Sequence, residues 1–334
     1  MKIGDREIGF LHPPYIIAEA SCNHGGSFDR AMEMIDAAAV CRADAIKFQC
    51  YTPDSMTINS ERSEFVIKDG PWKGRRLYDL YAQTQTPPEW FPKIKEYADR
   101  KGIHWFASVF DKAGVDLMAQ LDAPAIKIAS FEITDIPLIR YAASTGKPLL
   151  ISTGMATDKD RRLAAEAMGT NKFTFLECTS GYPTPFEDVG LYALWGTRGI
   201  SDHTIGDVVP IAATALGTSI IEKHFRCFWH PDTEDSVFSL DEIDFAHMVK
   251  RVRDTWTAMQ PRTYRSEDGH RELKRSLYVV VDIKAGEFFT PENIRSIRPG
   301  GGLAPIYFDA LRTKTASRDL IRGEPLTWDM ISGS

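Results

Sequence analysis

Short apolar runs alternate with amphipathic stretches along most of the chain. The runs fall at 15–19, 45–49, 104–108, 125–129, 149–152, 173–178, 199–201 and 219–222. Their length and continuous hydrophobicity suit strands covered on both faces, as in a parallel sheet. Between them, 30–42 places Met32, Ile35 and Ala39 on one helical face, and helical patterns recur at 88–101, 112–121, 137–145, 158–168 and 207–216. Strands alternating with helices in this way predict an α/β fold, a (β/α)8 TIM barrel. An open doubly wound sheet is the rival architecture. It would be expected to carry a Gly-rich phosphate turn after a strand, and no G-x-G-x-x-G occurs. Residues 58–81 interrupt the alternation with the loop signal Gly70-Pro-Trp-Lys-Gly74. An insertion on the C-terminal side of a barrel strand shapes a substrate site.

The barrel is expected to span 1–259, ending with a helix at 241–259. A polar, breaker-rich linker follows at 260–273. The remainder, 274–334, has short β-rich runs such as Ser276-Leu-Tyr-Val-Val-Val281 separated by turns, and predicts a small second domain. So small a module is marginal alone and needs a surface to pack on.

Charge enters the picture at the ends of the apolar runs. Ala45-Ile-Lys-Phe-Gln49 and Ala125-Ile-Lys-Ile-Ala-Ser-Phe-Glu132 each bury a lysine; Gly199-Ile-Ser-Asp-His-Thr204 and Ser219-Ile-Ile-Glu-Lys-His-Phe225 each end in a histidine. Such groups inside buried strands are costly unless paired. Alternation puts Lys47 with Gln49 on one face, and Glu222 with His224 on another, while Lys223 points away. Lys47 and Lys127 then converge on the barrel mouth. Either an anion sits between them or each is buried against its own carboxylate. Ser108, Ser130, Ser152 and Thr153 close neighbouring strands and supply donors suited to phosphate oxygens. His203 and His224 can ligate a divalent metal; with two protein ligands, Mn2+, Co2+ or Mg2+ suits better than structural zinc. His24 either joins the same mouth or braces its own loop.

The formal net charge of −6 argues against nucleic acid as a partner. No run reaches the roughly 18 residues of a membrane span, and Met1-Lys-Ile-Gly-Asp-Arg-Glu7 is too polar for a signal peptide. A cytoplasmic protein is the expectation. The five cysteines, Cys22, Cys41, Cys50, Cys178 and Cys227, lack metal-ligand spacing and are expected reduced.

These residues meet a family. The chain resembles the sialic acid synthases through Ile16-Ile-Ala-Glu-Ala-Ser-Cys-Asn-His-Gly-Gly26, Ala43-Asp-Ala-Ile-Lys-Phe-Gln49, Lys127-Ile-Ala-Ser-Phe-Glu132 and Ile151-Ser-Thr-Gly-Met155. The likeness continues through Cys178-Thr-Ser-Gly-Tyr-Pro-Thr-Pro185, Ser201-Asp-His-Thr-Ile-Gly206 and Ile221-Glu-Lys-His-Phe225. The tail, Lys274-Arg-Ser-Leu-Tyr278 to Ile297-Arg-Pro-Gly300, is similar to the antifreeze-like (SAF) module of that family. Trp72-Lys-Gly-Arg-Arg-Leu-Tyr-Asp-Leu-Tyr81 and Ser296-Ile-Arg-Pro299 most resemble its pseudaminic acid branch.

The resemblance implies condensation of phosphoenolpyruvate (PEP) with an open-chain acetamido sugar. It assigns PEP binding to Lys47, Ser108, Lys127, Ser130, Ser152 and Ser201. Glu19 and Glu132 match active-site carboxylates; His203 and His224 match the metal ligands. Gln49, Tyr182 and Asp235 match sugar-binding positions. Arg298 matches an arginine that the tail of one subunit inserts into the other, which implies a domain-swapped homodimer. Surface-polysaccharide biosynthesis and flagellin glycosylation are the implied settings. Four positions depart from the family pattern. Gly25 stands for asparagine, Val109 for proline and Ser180 for a phosphate-contacting asparagine, and Cys227-Phe-Trp-His-Pro-Asp232 lacks a Gly-Pro-Asp run.

The expected course is attack by carbon 3 of PEP on a metal-polarised aldehyde, water addition at carbon 2, and loss of phosphate by C–O cleavage. Competing readings are an N-acetylneuraminate or legionaminate synthase, a pyruvate-dependent metal aldolase, and a non-catalytic carbohydrate-binding protein.

Overall fold

The computed structural model describes residues 1–70, 72–194, 196, 198–261 and 270–333. Eight parallel strands form one sheet: β1 (Tyr15–Glu19), β2 (Ala45–Cys50), β3 (His104–Val109), β4 (Ile126–Ile128), β5 (Leu149–Ser152), β6 (Phe173–Leu176), β7 (Gly199–Asp202) and β8 (Ile220–His224). Neighbours follow chain order from β1 to β6, and β8 pairs with both β1 and β7. The ring closes between β6 and β7, where Glu177 N donates to Gly199 O at 2.9 Å and Ser201 N to Glu177 O at 2.8 Å. Gly199 permits that approach, since a Cβ there would stand 2.3 Å from Leu176 Cδ2. This is the expected TIM barrel.

The strands form where continuous apolar runs can be covered on both sides. Ile16, Ile17, Ile46, Phe48, Phe106, Ile126, Ile128, Leu150, Ile151 and Ile221 are fully buried. The helices start where a side chain can satisfy the free N–H groups of the first turn. Ser27 caps α1 (Phe28–Val40), Asp111 caps α5 (Lys112–Gln120), and Asp135 caps α6 (Ile136–Ser144). Thr157 and Asp160 make a reciprocal capping box on α7 (Asp158–Met168). Asp241 caps α9 (Glu242–Met259). Between α3 (Leu77–Thr84) and α5 lies α4 (Phe91–Lys101), which stops at Gly102 in the left-handed region. α8 (Val208–Ala215) precedes the last strand. The insertion after β2 holds α2 (Pro53–Met56), a 3-10 turn at Ser63–Phe65, and α3.

The sequence reading did not foresee the N-terminal hairpin. Lys2–Ile3 pairs antiparallel with Arg6–Glu7, and Ile3 is fully buried in the barrel core. Arg6 and Arg253 both pair with the buried Asp44, which also accepts from Ile16 N at 2.9 Å.

The chain divides into two compact units, Met1–Gln260 and Pro261–Ser334. The expected linker, 260–273, falls largely on residues 262–269, outside the described residues. In the second unit β9 (Ser276–Val279) pairs with β10 (Ile294–Ile297), and β11 (Thr315–Ala316) with β12 (Ile331–Ser332). Leu277, Val279, Phe289, Ile294, Leu311 and Leu326 make its core. It also holds a one-turn helix, α10 (Phe308–Leu311), that the turn-rich sequence did not announce. No helix among the described residues is long and apolar enough to cross a membrane.

Candidate active site

Register decides which side chains meet at the C-terminal ends of the strands. His224 lies opposite Glu19, Glu19 opposite Lys47, Gln49 opposite Ser108, Ser108 opposite Lys127, and Glu222 opposite Ser201. All face inward and all but the half-buried Gln49 are buried.

The two lysines, equivalent in sequence, have different surroundings. Lys47 Nζ sits 2.9 Å from Glu19 Oε2 and 3.4 Å from Glu222 Oε1, and donates to Ser108 Oγ at 3.0 Å. Burial pulls its amine down, but Glu19 and Glu222 outweigh that and hold it above the usual lysine value. Lys127 Nζ donates to Ser152 Oγ at 2.6 Å and to Ile128 O at 2.9 Å. No carboxylate among the described residues lies within ion-pair distance of it. Burial lowers its affinity for a proton, Glu222 only partly opposes this, and Lys47 adds to the lowering. The alternative of two separate ion pairs thus holds for Lys47 and fails for Lys127. Glu222, which the sequence reading placed on the His224 face without a role, is the link. It accepts from Ser201 Oγ at 2.8 Å, and Lys47 with Lys127 holds it ionised against burial.

A cradle lies beside Lys127. Gly154 N donates to Ser130 Oγ at 3.1 Å, and Ser130 Oγ meets Cys178 Sγ at 3.3 Å. A Cβ on Gly154 would stand 2.2 Å from Ser180 Oγ, so only glycine leaves this hollow open. Ser180 Oγ is buried without a partner. A lysine without a counter-ion, several hydroxyls and an orphaned oxygen make a receptor for an anion. At its edge Glu132, in the 3-10 turn Ser130–Glu132, has its carboxyl pushed up to about 7 by burial, against the pull of Lys127.

On the other side a hydrogen-bond chain runs across the mouth. Gln49 Nε2 donates to Glu19 Oε1 at 3.1 Å and to Ser21 Oγ at 2.9 Å; Ser21 Oγ donates to Asp235 Oδ2 at 2.5 Å. Burial raises Glu19 above the usual carboxylate range despite Lys47, and raises Asp235 despite Ser21. Asp235 Oδ2 stands 3.7 Å from His224 Nδ1.

The rings of His203 and His224 are 5.3 Å apart, centre to centre, and Tyr182 packs on His203 at 4.4 Å. His203 Nδ1 donates to Thr179 O at 3.1 Å, so a neutral ring carries its lone pair on Nε2; against burial, Cys178 and the Thr179 carbonyl hold the ring's affinity for a proton above the usual histidine value. His224 Nδ1 is buried with no hydrogen-bond partner, and burial together with His203 keeps the ring neutral. An orphaned neutral imidazole beside an anchored one fits a cation held jointly by protein and small ligands. Among the described residues, no three His, Cys, Asp or Glu side chains are grouped to hold a metal unaided. Behind the histidines, the fully buried Lys223 pairs with Asp202 at 2.6 Å, as expected of a residue facing away from the pocket.

His24 takes the second of its two expected roles: its Nε2 meets Thr86 Oγ1 at 3.0 Å and its Nδ1 accepts from Gly26 N at 3.1 Å, bracing the loop. Arg298 lies in the second unit, exposed at the end of β10. The barrel therefore brings together every candidate except Arg298. The Gly154 hollow and Ser21 are additions that sequence alone did not single out.

A parallel barrel whose strand ends aim an unpaired lysine and two imidazoles into one mouth defines an enzyme acting on an anionic substrate. The chain belongs to the NeuB family, whose model matches residues 34–264, and a SAF domain matches 274–332. It is 42% identical over 325 residues to a Campylobacter jejuni protein named pseudaminic acid synthase, covering 93% of this chain and 95% of that one. A Helicobacter pylori protein of the same name is 38% identical, covering 97% and 99%. Among solved structures, an N-acetylneuraminic acid synthetase from Leptospira borgpetersenii in complex with citrate superposes with a TM-score of 0.70 at 29% identity, covering 81% of this chain and 95% of that one.

Proposed function

We infer that this chain condenses PEP with 2,4-diacetamido-2,4,6-trideoxy-L-altrose, forming pseudaminic acid with C–O cleavage and release of phosphate. The observation that carries this reading is likeness over nearly the whole chain to two proteins named pseudaminic acid synthase. Lys127, Ser152, Ser130 and Gly154 receive the PEP anion, with Lys47, Ser108 and Ser201 at the other wall. His203 and His224 would hold a divalent cation, Mn2+ in our reading with Mg2+ or Co2+ as alternatives, and the bound ion supplies a Lewis acid for the sugar carbonyl. Gln49, Tyr182 and Asp235 orient the sugar. Glu132 positions and deprotonates the water, and Glu19 handles the neighbouring proton. Arg298 is read as a contribution from a second copy in a domain-swapped homodimer.

The test is a panel of amino sugars with PEP and Mn2+, following phosphate release. The expected winner is the diacetamido altrose. A wide margin for N-acetylmannosamine, the acceptor of the competing neuraminate reading, sinks the assignment.

The Glu132 role makes a pH prediction. Its carboxyl is raised from 4.5 to about 7, so the base form appears only as pH rises through that value. Wild-type kcat should climb across this range, and Glu132→Gln should lose the limb along with roughly a hundredfold of activity. Folding moves the other way. Between 4.5 and about 7 the folded chain holds a proton that the unfolded chain has lost. Stability from this group therefore falls as pH rises through the window. Glu132→Gln should gain on wild type above pH 7, read by urea unfolding at pH 5 and pH 8. A limb that persists in Glu132→Gln removes Glu132 from the proton chemistry.

A further inference from the structure

Beside the mouth lies a second cavity of about 420 Å³, bordered by Cys22, Gly25, Arg30, Trp72, Thr233 and Glu234. The geometry points to this cavity as a subsite for an acetamido group of the acceptor sugar, with Trp72 and Arg30 as its specificity-determining donors. The inference deepens the synthase reading and rests on it. The cavity adjoins the candidate sugar positions: Ser21 donates to Asp235 at 2.5 Å, and their chain neighbours Cys22 and Glu234 are part of its wall. Its volume is in the range of small-molecule sites.

Two donors there have nothing to bind. Trp72 Nε1 is buried without a hydrogen-bond partner. The Arg30 guanidinium makes no hydrogen bond or ion pair among the described residues. A buried indole N–H normally finds an acceptor. By contrast Arg75 is fully engaged: Nη1 pairs with Glu234 Oε1 at 2.9 Å and Nη2 donates to Gln83 Oε1 at 2.6 Å. This clamp ties the 58–81 insertion to the 232–234 loop and neutralises Glu234.

The ligand class follows from the donors. Asp232 and Glu234 border the cavity, but each is paired with an arginine, Arg226 at 2.7 Å and Arg75 at 2.9 Å, so the groups left unanswered in the wall are an indole N–H and a guanidinium that call for an acceptor. A neutral amide suits it: the carbonyl oxygen accepts from Trp72 Nε1 and Arg30, the amide N–H donates to a loop acceptor, and the methyl rests on the indole. Gly25 makes room for this. It has φ +55, and a Cβ there would stand 3.1 Å from Arg30 Nη1. The family pattern has asparagine at this position, and a side chain there would press the guanidinium aside by a few tenths of an ångström.

The test combines calorimetric binding of the diacetamido altrose with phosphate release, for wild type, Trp72→Phe and Gly25→Asn. Asparagine tolerates the left-handed backbone, so Gly25→Asn adds bulk without breaking the turn. The comparison acceptor is 2-acetamido-2,6-dideoxy-L-altrose, with hydroxyl in place of the 4-acetamido group. Each variant should bind the diacetamido sugar about fivefold to tenfold more weakly, with KM for PEP and for the hydroxyl analogue unchanged. Equal losses for both sugars, or no loss for either, overturn the subsite. Trp72-dependent binding without any phosphate release by wild type supports the subsite and sinks the synthase reading instead. Absence of binding to wild type overturns both.

Discussion

Lys127→Met should abolish most turnover while leaving a folded protein. Lys127 is buried at 1% exposure, holds two neutral acceptors, and faces no counter-ion within the described residues. Its charge is thus only partly offset in the free protein, by Glu222 beyond ion-pair distance, and comes into full use when an anion arrives. Removing a preorganised donor to developing or transferred charge costs about a hundredfold to a thousandfold, and the loss should fall on kcat/KM for PEP. Stability should hardly move. The variant gives up a hydrogen bond to Ser152 and one to Ile128 O, each worth about 1 kcal/mol, and is relieved of a desolvated ammonium of comparable cost. The melting temperature should therefore stay within about 3 °C of wild type. A large fall in melting temperature with a modest loss of PEP affinity would assign Lys127 to the scaffold.

Much of the architecture was legible because apolar continuity and caps are local. Runs 15–19 and 149–152 are the observed β1 and β5, and 158–168 is the observed α7, where Thr157 and Asp160 mark the start. Errors appear where chemistry interrupts the pattern. Apolar continuity bounds the last run at Glu222, although the alternation of faces extends through Lys223 to His224. The strand continues to His224, with Glu222 paired with Lys47 and Lys223 with Asp202. The run 125–129 is longer than the strand it marks, since the backbone leaves β4 after Ile128 and turns at Ser130–Glu132 to build the cradle edge. The N-terminal hairpin was missed because two-residue strands carry no periodicity.

The site divides in the same way. Inward-facing residues on strands are legible from alternation, so Lys47, Lys127 and His224 converge in the sequence, and His203 joins them one residue past the end of β7. Which lysine is neutralised is not. Glu19 and Glu222 come from β1 and β8, and only barrel closure sets both against Lys47 rather than Lys127. Loop contributions were the least legible. The hollow at Gly154 and the Arg75 clamp depend on contacts between segments that share no pattern.

That asymmetry sets the second large effect. Lys47→Met should be both inactive and unstable, in contrast to Lys127→Met. Lys47 is the one ammonium between two buried carboxylates, at 2.9 and 3.4 Å. Taking it away leaves Glu19 and Glu222 in a low-dielectric pocket with their mutual repulsion uncompensated. Breaking a buried pair in this way costs about 3–5 kcal/mol, far more than the exchange of neutral hydrogen bonds at Lys127. The argument has an internal control. If the loss comes from stranded negative charge, neutralising one partner should restore much of it. Lys47→Met combined with Glu222→Gln keeps an acceptor for Ser201 Oγ and removes the repulsion. Urea midpoints for the two single variants and the double should give a coupling of about 2 kcal/mol, with the double more stable than Lys47→Met alone. Additive losses would mean that the lysine stem, filling space at the barrel centre, matters more than its charge, and the electrostatic account of the mouth would fall with that result.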